Sequence, residues 1–153
     1  MKPIIKGCIP LYGADARFRF YLRLRELFRK YNMKFWGGCL KVHLQKVYGC
    51  ELSFNARISP KSSFMHTVGV VIGEGVIIEE GVIIYSGVVL GRKDIYADDD
   101  YPIIEKNVVL SANCSVLGKC VVHEGAVIGA HSLVIKDCEP NGTYVGIPAE
   151  RVK

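Results

Sequence analysis

The sequence predicts an all-β fold, a parallel β-helix of hexapeptide repeats with a short helical region before it. Three observations carry that expectation. An aliphatic residue returns at every sixth position: Ile72, Ile78, Ile84 and Leu90, then Ile104, Leu110, Val116, Val122, Ile128 and Val134. Four positions after each comes a compact residue, first Val76, Val82 and Val88, later Val108, Cys114, Cys120, Ala126, Ser132 and Cys138. Just before these stand Gly75, Gly81, Gly87, Asn107, Asn113, Lys119, Gly125, His131 and Asp137. A helix repeats near ~3.6 residues and a flat strand at ~2, so neither yields a strict six. A coil with three flat sides does.

Each element of the repeat has a physical reason. The aliphatic residue points into the prism. The compact residue also points inward, near a corner where a large side chain would not fit. Gly and Asn tolerate the left-handed backbone that tight corners use. Three sides close a coil of roughly 18 residues, and stacked coils bury an apolar column that no single coil could bury alone.

Weaker units extend the pattern backward through Leu52, Ile58 and Phe64, with Ala56 and Ser62 in the compact slots. Two interruptions break the phase. From Phe64 to Ile72 is a step of eight; from Leu90 to Ile104 is a step of 14, read as two hexapeptides plus two. A solenoid accommodates insertions as outward loops. His66-Thr67-Val68-Gly69 and residues 92–102 are therefore the first places to look for chemistry.

Length and composition bound the rest. A chain of 153 residues is expected to form one domain. No signal peptide and no membrane-spanning run are read. Of six cysteines, Cys114, Cys120 and Cys138 occupy compact inward slots, and none forms a C-x-x-C pair. Packing rather than disulfides is expected for them, and a reducing cytoplasm is the consistent compartment.

The basic excess belongs to the first third. Residues 1–50 hold 11 Lys/Arg against two acids, or +9, and residues 51–153 hold nine against 13, or −4. The chain accordingly divides into a basic helical cap, 1–50, and a β-helix domain, 51–153, with a loop protruding at 92–102. Residues 14–33 read as a helix mixing aromatics with Arg; Gly37-Gly38 breaks it, and 40–48 reads as a second short helix. Solenoids need caps, and capping with solvated Arg side chains is the favoured use of this region. Contact with the anionic inner face of a membrane is the alternative. Nucleic-acid binding is not expected, because no recognised motif is present and the larger part of the chain is acidic.

The segment Phe64-Met-His-Thr-Val-Gly-Val-Val-Ile-Gly-Glu74 resembles the active-site coil of serine O-acetyltransferases and their relatives. The likeness continues through Val88-Val-Leu-Gly91, Leu110-Ser-Ala-Asn, Ile128-Gly-Ala-His-Ser-Leu-Val and Thr143-Tyr-Val-Gly-Ile-Pro-Ala149. The resemblance implies a left-handed parallel β-helix, a homotrimer with sites between subunits, and acetyl transfer from acetyl-CoA to a hydroxyl. It assigns His66 as general base. It gives Glu51, 15 residues earlier, as the carboxylate that orients the imidazole; the family more often has Asp there. Glu74 matches a further acid of the family, assigned to the acceptor side. Backbone at Gly91-Arg92 corresponds to a Gly-Gly pair that stabilises the oxyanion. Ser111, Ala112, Gly129 and Ala130 match small residues lining the pantetheine arm, and Lys136, Arg151 and Lys153 are candidates for the CoA phosphates. No metal is implied; a metal-dependent hydratase on this fold needs clustered histidines.

Two departures point away from serine as acceptor. Only about fifty residues precede the coils, where the family has a long helical domain. An Arg-His pair before the loop proline is here Asp100-Tyr101, after Asp98-Asp99. Acids there are expected to repel an amino acid's carboxylate and to accept from sugar hydroxyls, with Tyr101 stacking on a sugar face. The expected function is a sugar O-acetyltransferase of polysaccharide biosynthesis. The alternatives are a serine O-acetyltransferase and a non-catalytic β-helix scaffold.

Overall fold

The computed structural model describes residues 14–94, 96–97 and 99–153, with side chains from residue 17 onward. Cys8 and Asp98 lie outside the described residues. Helices α1 (Ala14–Lys30) and α2 (Lys34–Tyr48) lead into a parallel β-helix, the expected left-handed all-β coil.

Its three faces are built from very short strands. The first face stacks β1 (Glu51–Leu52), β4 (Val71–Ile72), β7 (Val89–Gly91), β10 (Ser115–Leu117) and β13 (Leu133–Val134). The second stacks β2 (Arg57–Ile58), β5 (Ile77–Ile78), β8 (Ile103–Ile104) and β11 (Val121–Val122). The third stacks β3 (Ser63–Phe64), β6 (Ile83–Ile84), β9 (Val109–Leu110), β12 (Val127–Ile128) and β14 (Thr143–Val145), then β15 (Glu150–Arg151), which turns back antiparallel.

The repeat explains the core directly. Every aliphatic residue from Ile72 to Val134 in the sixfold series is buried, as is every compact residue from Val76 to Cys138. Coil length follows from register. On the first face Glu51 pairs with Val71 and Val71 with Val89, steps of 20 and 18; Val89 then pairs with Ser115, a step of 26. The long coil corrects one reading of the sequence. Leu90 and Ile104 sit on successive faces, so the interruption is one hexapeptide plus eight residues, all of them in the loop.

The corners are not equivalent. Left-handed backbone occurs at Gly81, Asn107, Gly125 and Asn141 between the second and third faces, and at Gly69, Gly87, Asn113 and His131 between the third and first. Gly75, Lys119 and Asp137, between the first and second faces, do not share it. At Gly81 φ is +76°, and a Cβ would run into the Asn107 side chain of the next coil. That position needs glycine twice over, for its backbone and for the close approach.

The helices lie on the first coil. Phe18 packs edge-on against Phe64, with ring centroids 4.9 Å apart, and Leu22, Leu40 and Leu44 join the same core. The expected break at Gly37-Gly38 does not occur; both lie inside α2. Gly37 is there for packing, since a Cβ would strike the Phe54 ring, and this outweighs the ~1 kcal/mol helix cost of a glycine. Arg25 also departs from a solvated arginine. It is buried, and its guanidinium donates to the carbonyls of Ser53, Phe54 and Ala56, 2.7 Å for the last, on the open edge of the first coil. Burial lowers its pKa, opposed chiefly by neighbouring Glu26, which it meets at 2.7 Å.

Two outcomes follow. Gly81→Ala lowers stability by about 1–3 kcal/mol, measurable by chemical denaturation, whereas Gly38→Ala, where a Cβ meets nothing, does not lower it. Burial pushes the Cys50 and Cys120 thiols up to about 11 and those of Cys114 and Cys138 up to about 12. Unfolded thiols ionise near ~8.5, so the contribution of the buried protonated thiols is complete below that pH and is lost as pH rises toward the folded values. Denaturation midpoints at about pH 8 and about pH 10.5 should differ less for Cys114→Ala than for the parent chain.

Candidate functional site

The edge between the third and first faces gathers five of the sequence-predicted residues, His66, Ser111, Ala112, Gly129 and Ala130. Going up the stack it carries the insert at 65–69, then 85–87, Ser111-Ala112-Asn113 and Gly129-Ala130-His131. Backbone bonds zip these corners together: Gly87 N–H to Val68 O at 3.0 Å, Asn113 N–H to Ser86 O at 2.8 Å, His131 N–H to Ala112 O at 3.0 Å. His66 therefore starts a ledge whose upper steps are the small residues Ser111, Ala112, Gly129 and Ala130. Successive steps rise ~4.8 Å, the spacing of paired strands.

The two extra residues of the first coil create the pocket around His66. Gly69 N–H donates to Gly49 O at 2.8 Å and the Thr67 hydroxyl to Tyr48 O at 2.8 Å, tying the insert to the end of α2. Gly49 there adopts φ +64° as the helix C-cap. His66 is exposed and lines a cavity of about 250 Å³ with Phe18, Tyr48, Phe64, Met65 and Val68. Its imidazole makes no hydrogen bond or ion pair among the described residues, which leaves both ring nitrogens open to incoming groups.

Glu51 differs from expectation. Its carboxylate is paired with Lys41 Nζ of α2 at 2.8 Å, not with His66. Both side chains are more than a third exposed, and such pairs contribute at most ~1 kcal/mol. The added length of Glu over Asp takes the carboxylate outward to a cation that the helical region supplies.

A second group of predicted residues lies on a different edge, between the first and second faces. There a cleft of about 620 Å³ opens beneath the 92–102 loop, lined by Arg57, Glu74, Arg92, Asp99, Tyr101 and Lys119 among others. Glu74 accepts from the Asn55 amide, and Asp99 faces Lys119 Nζ at 3.5 Å. Gly91 ends β7 at the foot of the loop.

Both loop residues assigned to the acceptor are already engaged. Asp100 accepts three backbone N–H bonds, from Lys93 at 2.8 Å, Asp94 at 2.7 Å and Lys119 at 2.7 Å. The Asp94 N–H is the largest influence holding its carboxyl below the usual range, followed by an opposing desolvation and the other two amides. Asp100 staples the loop shut and has little capacity left for a sugar hydroxyl. Tyr101 has one ring face against Gly73 and Gly75 and the Arg92 guanidinium over it, 5.3 Å from the centroid. Tyr101 is partly buried and still lines the cleft.

The phosphate candidates are dispersed. Lys136 is exposed on the first-to-second edge near the top of the stack; Arg151 lies on β15, its Nε bonded to Lys153 O at 2.9 Å. No group of three metal-ligating side chains occurs among the described residues. Sequence reasoning missed Arg57 and Lys119 in the cleft and Phe18 and Tyr48 beside His66. No motif marks them; only the 20- and 26-residue steps between stacked strands bring Arg57, Ile77 and Ile103 under one loop.

Comparison with known proteins agrees with the fold. Residues 101–136 match the family described as bacterial transferase hexapeptide, six repeats. A serine acetyltransferase of Buchnera aphidicola subsp. Schizaphis graminum is 37% identical over 115 residues, covering 74% of this chain and 44% of that protein. One from Bacillus pumilus is 32% identical, covering 85% and 60%. Among solved structures, Brucella abortus serine acetyltransferase in complex with coenzyme A superposes with a TM-score of 0.80 at 28% identity, covering 86% of this chain and 53% of that one. Soybean serine acetyltransferase complexed with serine gives 0.79 at 31% identity, covering 86% and 54%. The chain thus spans about half the length of the relatives it matches.

The loop staple has a measurable consequence. In Asp100→Ala the amides of Lys93, Asp94 and Lys119 should exchange with solvent faster while that of Val122 is unchanged; hydrogen exchange read by NMR decides it, and unaltered rates at all three amides would contradict the staple.

Proposed function

We propose that this chain, a hexapeptide-repeat protein with serine acetyltransferase homologues, is an acetyl-CoA-dependent O-acetyltransferase with His66 as general base. The observation that carries the reading is the ledge: an accessible, unengaged imidazole at the foot of a stack of small residues running up one edge. Small side chains let a narrow pantetheine chain lie close to backbone, and the ledge ends where the thioester must meet the base.

The chemistry follows from those positions. Neutral His66 takes the proton of the acceptor hydroxyl as its oxygen attacks the thioester carbon. The tetrahedral oxyanion needs N–H donors, for which backbone at Gly91-Arg92 is the candidate. As the intermediate collapses the C–S bond breaks, and the imidazolium returns the proton to the leaving sulfur. The products are an acetyl ester and free CoA thiol. Glu51 reaches this cycle only by leaving Lys41, an exchange between two weak surface contacts.

Within one chain His66 and the loop lie on different edges of the prism. A threefold packing of parallel prisms brings one chain's third-to-first edge against a neighbour's first-to-second edge. The reading therefore includes a homotrimer with each site completed by a neighbour, Arg92 and the loop facing another chain's His66.

L-Serine is the acceptor we favour. Two of the acids that argue against it on sequence are already engaged: Asp100 accepts three backbone amides and Asp99 faces Lys119. Arg57 and Arg92 leave the cleft able to receive a carboxylate. A sugar hydroxyl is the second reading, resting on the missing Arg-His pair.

The test is release of CoA thiol from acetyl-CoA with L-serine and, separately, with nucleotide sugars. Turnover with serine is expected, and His66→Ala should lower it by about 10²–10⁴-fold with an unchanged melting curve. Turnover with sugars alone would select the second reading. An active His66→Ala protein would remove the imidazole from the mechanism.

A further inference from the structure

The outer surface of the two helices is the least explained part of the molecule. Each helix buries one stripe against the first coil, yet each carries a second apolar stripe on the opposite side. On α1, at ~100° per residue, the residues facing away from Phe18, Leu22 and Arg25 are Phe20 and Leu27, flanked by Arg17, Arg23 and Lys30, and Tyr31 is exposed in the turn that follows. On α2 those facing away from Leu40 and Leu44 are Phe35, Cys39, Val42 and Lys46. Phe20 is 60%, Tyr31 63% and Phe35 75% exposed. A soluble surface rarely gathers large apolar groups in this way without a partner.

Charge selects the partner. Residues 17–48 contain one acid, Glu26, and it is held by Arg25 at 2.7 Å and Arg29 at 2.8 Å. The outward face therefore presents Arg17, Arg23, Lys30, Lys34 and Lys46 with no carboxylate between them. A second copy placed on this face by twofold symmetry would set those cations against the same cations. An anionic layer with an apolar interior satisfies both features at once: the aromatic and aliphatic groups enter the acyl boundary and the basic stems reach back to the headgroups. No described helix is long and apolar enough to cross a bilayer, so the contact is one of lying on the surface.

We infer that the outer face of α1 and α2 docks on an anionic phospholipid bilayer, holding the β-helix away from it on the opposite side of the helices. The inference concerns the outer face of helices whose other side lines the His66 cavity through Phe18 and Tyr48, and it does not depend on the acceptor.

The test is co-sedimentation of the full chain with vesicles of phosphatidylglycerol and phosphatidylcholine, against phosphatidylcholine alone, alongside solution mass by light scattering. Binding is expected only to the anionic vesicles and should weaken with salt. The double variant Arg23→Gln/Lys30→Gln should bind roughly tenfold or more weakly, at about fivefold per cation removed. Phe20→Ser/Phe35→Ser should also lose binding, with melting curves confirming that both variants are folded. No binding to anionic vesicles, or equal binding to neutral ones, overturns the inference. So does a mass that halves in either variant without vesicle binding in the parent, which assigns the face to another copy of the chain.

Discussion

Parallel stacking of coils in fixed register governs this molecule. Each strand of two or three residues is held by the strand one coil below and one coil above, and by the aliphatic residue it sends into the column. None of these strands would persist alone. Because the column is buried from Leu52 to Val134, the chain has almost no freedom along the stack. Any residue beyond the period must leave at a corner. The two insertions do so at different edges, one bearing His66 and the other the 92–102 loop. The rigid column thus sets where chemistry is available, and it keeps the two groups apart within a single chain.

The corner differences refine this picture. Two of the three edges turn through left-handed backbone, supplied by Gly, Asn and His131. On the third edge positive φ is confined, among the described residues, to Gly118 at +93°, and this is the edge that accommodates the eight-residue excursion. A corner that does not repeat one demanding conformation in every coil can be opened without losing the register of the coils on either side. Asp100, near the end of the excursion, accepts the amides of Lys93 and Asp94 at its start and that of Lys119 on the next coil, so the loop leaves and rejoins the prism at nearly one point.

Much of the fold was legible because hexapeptide phase is a one-dimensional signal: Ile72 predicts Ile78 without knowledge of any distant residue. The same reasoning placed Cys114, Cys120 and Cys138 inside the column. It located His66 through the phase slip, and the resemblance to acetyltransferases gave that residue a role. What escaped were pairings set by the third dimension. Glu51 to Lys41 links a strand to a helix whose placement the sequence does not encode locally. Asp100 reads as a free acid until the amides of Lys93, Asp94 and Lys119 are seen to converge on it. Gly37-Gly38 reads as a helix break because propensity is local, whereas the Phe54 ring that demands Gly37 is a tertiary neighbour. Arg25 reads as one more solvated cation, and its burial against three carbonyls had no sequence signal at all.

That buried arginine has a consequence for the molecule's solubility. A stack of parallel strands ends, in principle, with a row of unpaired carbonyls and amides that would welcome another chain and grow into a fibre. Here the lower end is occupied: the guanidinium of Arg25 sits on the carbonyls of Ser53, Phe54 and Ala56. At the upper end β15 folds back antiparallel along β14. The same regularity that makes the column easy to extend is thereby stopped at both termini, by a side chain at one and a reversal of direction at the other.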